Sequence, residues 1–162
     1  MRKEIIHKPD FKLVGLSVVT NNANEQDPTL AKIGPLVANY FSHQIAQHIK
    51  HRIHPGITYS VYTEYESDHH GNYTYFIGEA VSSLEDVPDD LKTISIPTSQ
   101  YQRFTTEPGP MPLVVIQAWQ SIWQMNQETL GGERRYLADF EVYDERAHDP
   151  HQAVVDIYIG IR

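Results

Sequence analysis

The same order of elements is written twice into this chain, and that repetition constrains its fold more than any single motif does. In the first pass Phe11 to Thr20 reads as a strand, a helical stretch follows, and Ile57 to Tyr65 and Tyr73 to Val81 are strand-like runs. In the second, Leu91 to Ile96 and Tyr101 to Thr106 are extended, Pro112 opens a helix, and Leu137 to Tyr143 and Ala153 to Ile161 close the chain. Each pass reads β-α-β-β. Short likenesses accompany the order, Ser60-Val61-Tyr62 against Glu141-Val142-Tyr143 and Ile77-Gly78 against Ile159-Gly160. The expectation is a single α+β domain built as a duplicated β-α-β-β fold. Its two pseudo-twofold related halves, about residues 1–90 and 91–162, would carry helices on one side of an antiparallel sheet, with a ligand cleft between them.

The helices have local signals. Asn21 to Gln26 reads as a polar loop, and Asp27-Pro28 as an N-cap with proline at the first helical position. Leu30, Ile33, Val37, Tyr40 and Phe41 then recur at helical spacing, and Gly34-Pro35 interrupts the pattern, so either a kink there or a helix that properly starts only at Pro35 is expected. Ile45, Ile49 and Ile53 can carry that helix on to His54-Pro55-Gly56. In the second helix Leu113, Ile116, Trp119, Ile122 and Trp123 form the apolar set, and Gly131-Gly132 marks its end.

One strand carries an awkward residue. Alternation along Leu137 to Asp144 puts Asp139, Glu141 and Tyr143 on one face and Ala138, Phe140 and Val142 on the other. Glu141 lies mid-strand, where burying its carboxylate without a partner would cost several kcal/mol or raise its pKa, by roughly the transfer penalty of an unpaired polar group. It either faces solvent, pairs with Arg134 or Arg135, or awaits a positively charged ligand. Tyr143 shares its face, and Trp119 and Trp123, four apart, share one face of a helix. Both tryptophans also suit plain core packing, as do Val37, Tyr40 and Phe41, while Tyr75 and Tyr158 lie on strands that can be buried on both faces.

Composition removes several classes. A net charge of -8 with no basic run argues against direct nucleic-acid binding, and the absence of cysteine excludes disulfides and thiol chemistry. No apolar run near Met1 suits a signal peptide or a membrane span, which points to a cytoplasmic protein with no membrane partner. His48, His51 and His54 drift around a helix, while His69-His70 and His148-Asp149-Pro150-His151 fall in polar turns, so no metal and no cofactor are expected. Nucleophile elbows and phosphate-cradling glycine loops are absent.

Several segments, taken together and in order over nearly the whole chain, resemble the GyrI-like effector-binding domain, also met as the ligand-binding part of AraC-type and multidrug-sensing transcription regulators. They are Lys8 to Leu16, Tyr73-Thr74-Tyr75-Phe76-Ile77-Gly78-Glu79, Ile96 to Phe104, Trp119-Gln120-Ser121-Ile122-Trp123, Asp139-Phe140-Glu141-Val142-Tyr143 and Asp156-Ile157-Tyr158-Ile159. The resemblance implies an aromatic cleft in which a glutamate meets lipophilic cations, and Glu141 is the matching position. Tyr158 matches the tyrosine of the last strand, and Trp119 and Trp123 match helical aromatics. The candidate ligand-binding set is therefore Glu141, Tyr143, Tyr158, Trp119 and Trp123, joined by Val37, Tyr40, Phe41, Tyr75 and Phe104. Regulators of this kind carry a helix-turn-helix region before the domain; here the domain begins almost at Met1, and a stand-alone module is expected.

The leading expectation is a non-enzymatic binding protein for hydrophobic, cationic small molecules. Two alternatives stay open: a small-molecule hydrolase using Glu141 as general base with a nearby tyrosine, and a gyrase-inhibitor-like accessory factor whose acidic surface meets a protein. A transcription-factor partner and a homodimer formed through exposed strand edges complete the expected partners.

Overall fold

The computed structural model describes residues 1–162. Eight strands, β1 (Arg2–Lys8), β2 (Phe11–Thr20), β3 (Thr58–Thr63), β4 (Tyr73–Val81), β5 (Lys92–Ile96), β6 (Ser99–Thr105), β7 (Ala138–Tyr143) and β8 (Asp156–Ile161), form one sheet. Their order is β1-β6-β8-β7-β3-β4-β2-β5, and every neighbouring pair is antiparallel. Four helices accompany them: α1 (Asn22–Glu25), α2 (Ile33–Ser42), α3 (Leu113–Trp123) and α4 (Gln127–Leu130). The architecture is α+β, an eight-stranded antiparallel sheet with few helices.

Register decides which side chains meet. At the middle of the sheet Ser60 of β3 stands opposite Glu141 of β7, and Tyr62 opposite Asp139. On the other side of β3, Tyr62 pairs with Tyr75 and Ser60 with Ile77; on the other side of β7, Glu141 pairs with Ile157. These residues therefore share one face, and both longer helices pack on it. Tyr40 of α2 lies in a cluster with Val14, Tyr73, Tyr75 and Ile77, while Val115, Ala118, Trp119 and Ile122 of α3 cover Phe104, Ile157, Ile159 and Ile161.

The opposite face holds a second core of Leu13, Val61, Phe76, Tyr101 and Phe140, each buried to 1% exposure or less. The sheet closes this core by curling on itself. Strands lie about 4.8 Å apart, so β2 and β7, three steps apart, would be roughly 14 Å apart in a flat sheet. Yet the Phe11 and Phe140 rings have centroids 5.3 Å apart. Gly15 and Gly78 are direct cross-strand partners, and a Cβ on either would fall on the other strand's backbone at the carbonyl of Ile77 or Val14. That close approach is what their missing side chains permit.

The structure corrects four sequence expectations. The stretch Asn21 to Gln26 is not all loop: Asn22–Glu25 is a helical turn, capped by the Asn21 side chain accepting from the Asn24 amide at 2.8 Å. The main helix does not start at Asp27-Pro28 but two residues before the alternative start at Pro35. Asp27 is engaged by the amide and hydroxyl of Thr29, and α2 begins at Ile33, where the Glu25 carboxylate takes up the amides of Lys32 and Ile33. Nor does that helix continue through Ile53; it ends at Ser42, Gln44 turns left-handed at φ 49°, and one 3-10 turn follows over Ile45–His48. Ile45 and Ile49 are buried all the same, so their spacing reflects tertiary packing. Finally, α3 stops at Trp123; Gly131, at φ 90°, terminates the separate α4, whose Asn126–Thr129 capping box starts it afresh. Strand β1, which has little apolar alternation, was not expected and pairs along β6 at the sheet edge.

Candidate functional site

Glu141 sits under the helices, 3% exposed, on the face its parity assigned. It touches no cation. Its carboxylate accepts from the Tyr143 hydroxyl at 2.5 Å, the Trp119 indole N–H at 2.7 Å and the Tyr62 hydroxyl at 3.1 Å. Burial pushes its pKa above the ordinary glutamate range, and these three hydrogen bonds, Tyr143 first, pull against that rise. The same burial, reinforced by the Glu141 charge, pushes the Tyr62 and Tyr143 hydroxyls well up, so both remain donors at neutral pH.

The next carboxylate on that face is treated differently. Asp139, fully buried, has its own cation: Arg134 Nη2 lies 2.8 Å from Oδ2. Its oxygens also accept from the Tyr65 hydroxyl at 2.6 Å and the Gly160 amide at 2.8 Å. Arg134, the residue expected to neutralise Glu141, is thus committed elsewhere, and Arg135 donates to the Ser99 hydroxyl.

Above Glu141 opens a cavity of about 620 Å³, walled by Tyr62, Tyr65, Tyr73, Trp119, Trp123 and Arg134. Tyr62 forms its floor, edge-on to Tyr73, Tyr75 and Trp119 at ring distances of 5.7, 5.4 and 5.3 Å. Glu141 itself lies behind Tyr62 and Trp119, so a ligand in the cavity meets two of its hydrogen-bond donors before it meets the carboxylate. Glu25 also lines the cavity, and Ile33, Val115 and Ile116 add aliphatic surface.

The expected site residues divide. Glu141, Tyr143 and Trp119 are joined by hydrogen bonds, Tyr75 packs on Tyr62 and binds the Ser60 hydroxyl at 2.8 Å, and Trp123, half exposed at the rim, lies 6.2 Å from Trp119. Of these five only Trp119 and Trp123 line the cavity, with Glu141, Tyr143 and Tyr75 behind its wall, and the other five expected residues are elsewhere. Tyr158 is on the opposite face, stacked on Phe140 at 4.5 Å, and Phe104 is core beneath α3. Tyr40 is buried under α2, Val37 packs on the same cluster, and Phe41 faces solvent. Among the residues that do line the cavity, Tyr62, Tyr65 and Tyr73 were not anticipated. Tyr62 had a signal, for it occupies in Ser60-Val61-Tyr62 the place of Tyr143 in Glu141-Val142-Tyr143. Beside the cavity, Asp68, His69 and His70 in the β3–β4 loop bring donor atoms within 4.8 Å of one another, the one grouping that could hold a metal ion.

Residues 4–161 match the model of the Cass2 family, described as integron-associated effector binding protein. The chain belongs to this family. The integron cassette protein VCH_CASS2 from the mobile metagenome of Vibrio cholerae shares its fold, with a TM-score of 0.77 and 27% identity over 99% of this chain and 95% of that one. A structure of SAV2435 bound to tetraphenylphosphonium has a TM-score of 0.78 at 19% identity, covering 100% of this chain and 94% of its own. Two transcriptional regulators are similar in sequence. YobU of Bacillus subtilis, named a putative regulator, is 33% identical over 103 residues, or 64% of this chain. BrlR of Pseudomonas aeruginosa is 27% identical over 99% of this chain. The matches span 62% and 56% of the lengths of those two relatives. Family membership makes this an effector-binding protein, and no helix in it is long and apolar enough to cross a membrane.

Proposed function

We propose that the effector is a hydrophobic organic cation, held by the aromatic walls of the cavity with its charge over Glu141. The observation that carries this reading is the contrast between two neighbouring buried carboxylates. Asp139 has a guanidinium at 2.8 Å, whereas Glu141 has three neutral donors and no positive charge. A buried carboxylate is paired with a cation or shifts its pKa upward; Glu141 has no cation and its pKa is raised, which suits a ligand that brings the charge. The walls complement it, since the faces of tyrosine and tryptophan attract cations by about 0.5–2 kcal/mol per contact and tolerate varied shapes. The tetraphenylphosphonium bound by SAV2435, a protein of the same fold, is a ligand of this chemistry.

The sheet order supports a duplicated origin for the site. Outward from the centre, β3-β4-β2 mirrors β7-β8-β6, each set with one longer helix between its strands, but the edge strands cross over: β5 lies beside β2 and β1 beside β6, so the expected division at about residue 90 does not divide the sheet. Ser60 and Glu141, in matching local sequences, then face each other at the centre.

Titration of tryptophan fluorescence with tetraphenylphosphonium and with tetraphenylborate tests the reading, because the two ions have nearly the same shape and opposite charge. Micromolar binding of the cation and at least hundredfold weaker binding of the anion are expected. Equal affinities would leave a greasy cavity indifferent to charge and would end this proposal.

A further inference from the structure

A second, smaller cavity of about 140 Å³ adjoins the first and shares Trp123, Arg134 and His69 with it. Its remaining polar lining comes from Asn126, Gln127 and Tyr136, and no carboxylate contributes to it. The larger cavity is lined by Glu25 and backed by Glu141. The two spaces thus differ in character, with acid at one end and donors at the other. Trp119 lies between these ends: its indole N–H binds Glu141, and the Arg134 guanidinium is 5.9 Å from its ring.

Arg134 is committed to Asp139 through one nitrogen only. Its guanidinium makes one hydrogen bond, to Asp139, and lies 4.5 Å from the Tyr136 ring centre. Its Nε–H has no partner but is closed off from solvent, so what it can offer the cavity is its remaining Nη donors, part of a side chain that keeps 13% exposure. Asp139 draws on Tyr65 and Gly160 besides Arg134. An acceptor entering the smaller cavity would meet the Arg134, Asn126 and Gln127 donors without facing a competing carboxylate on its walls. The volume suits a carboxylate with one or two methylenes, being roughly four to five times the share of one water molecule in the liquid.

Building on the cation reading above, we propose that this smaller cavity is a subsite for a carboxylate, so that the preferred effectors are amphiphiles bearing a positive head and an anionic tail. The cation sits over Glu141 in the aromatic cavity. The tail passes the sill formed by Trp123, Arg134 and His69, and its carboxylate accepts from Arg134 and Gln127.

The test compares carboxybutyl-triphenylphosphonium with pentyl-triphenylphosphonium by calorimetry at neutral pH, on the wild-type chain, Gln127→Glu and Arg134→Gln. The ratio of their affinities is read for each protein. In the wild type the carboxylate is expected to improve binding about tenfold over the alkyl tail, the size of one charge-assisted hydrogen bond. In Gln127→Glu, which adds a like charge on an exposed helical turn, the ratio should fall to one or invert; Arg134→Gln should do the same if it folds. A pentyl compound that binds as well as or better than the carboxylate in the wild type overturns the subsite while leaving the cation reading intact. So does a ratio unmoved by Gln127→Glu. Failure of both phosphonium compounds to bind the wild type overturns both.

Discussion

Replacing Glu141 with Gln changes one charge at nearly constant shape, and the structure sets the size of the effect. Gln can keep its carbonyl oxygen in the place of Oε2 and accept there from the Trp119 indole N–H and the Tyr62 hydroxyl, while the Tyr143 hydroxyl rotates to accept from the amide, so the packing of the site should survive. What is lost is attraction. A phosphonium centre shielded by its rings would come about 6 Å from the carboxylate, where two unit charges attract by roughly 3 kcal/mol at an effective dielectric of about 20. The carboxylate is already desolvated in the folded protein and held by three donors, so binding does not bear that cost again. Part of the charge is spread over those donors. A loss of about 1.4–2.8 kcal/mol, ten- to hundredfold in affinity, is expected for tetraphenylphosphonium. Calorimetric titration of both proteins with the cation and with tetraphenylborate separates electrostatics from damage. The anion's affinity should stay level or rise in the variant. Equal losses for both ions would make Glu141 a structural residue, and no loss for either would remove it from recognition altogether.

Further outcomes follow from the same geometry. Because burial raises the Glu141 pKa, cation affinity should climb as pH rises through and above the ordinary carboxylate range, then level off; Tyr143→Phe, which deletes the 2.5 Å hydrogen bond, should move that climb to higher pH without changing the plateau. Between the ordinary carboxylate range and this raised value, the folded empty protein holds a proton that the unfolded chain has released. Stability from this group therefore falls as pH rises between the two values, and denaturant melts of Glu141→Gln should lack that component. Arg134→Met strands the fully buried Asp139 without its cation and should cost about 3 kcal/mol in urea unfolding, the low end for a broken buried pair because Tyr65 and Gly160 still donate. Gly78→Ala drives a methyl group into the Val14 carbonyl across the β2–β4 ladder and should lower stability by about 2–3 kcal/mol by the same assay, with Gly15→Ala behaving alike.

The sequence made one side of the site legible and hid the other. Glu141 and Tyr143 follow from strand parity, and Trp119 and Trp123 from helical spacing, because both are local periodicities. Tyr158 needed more. Its face depends on its pairing with Phe140, a register between β7 and β8 that no local pattern states, and that register turns it to the far side of the sheet. Tyr62 reaches Glu141 through the β3–β7 pairing, a contact 79 residues apart in the chain. The pairing of Arg134 with Asp139 depends on the turn before β7, where Tyr136 adopts φ 53°. The strands from Phe11 onward were readable from local alternation, whereas β1 was missed and helix boundaries failed where a distant side chain decided them. The Glu25 carboxylate accepting from the amides of Lys32 and Ile33 at the start of α2 is the clearest case.

A crystal structure of the protein with tetraphenylphosphonium is the most direct test of charge recognition at Glu141. The expected result places the phosphorus about 6 Å from the Glu141 carboxylate, the separation at which two unit charges attract by roughly 3 kcal/mol at an effective dielectric of about 20, with phenyl groups against Tyr62 and Trp119 and the Tyr62 hydroxyl shifted from its present contact. A cation bound outside this cavity, or inside it with all three hydrogen bonds to Glu141 unchanged and the charge turned towards Glu25, would contradict it.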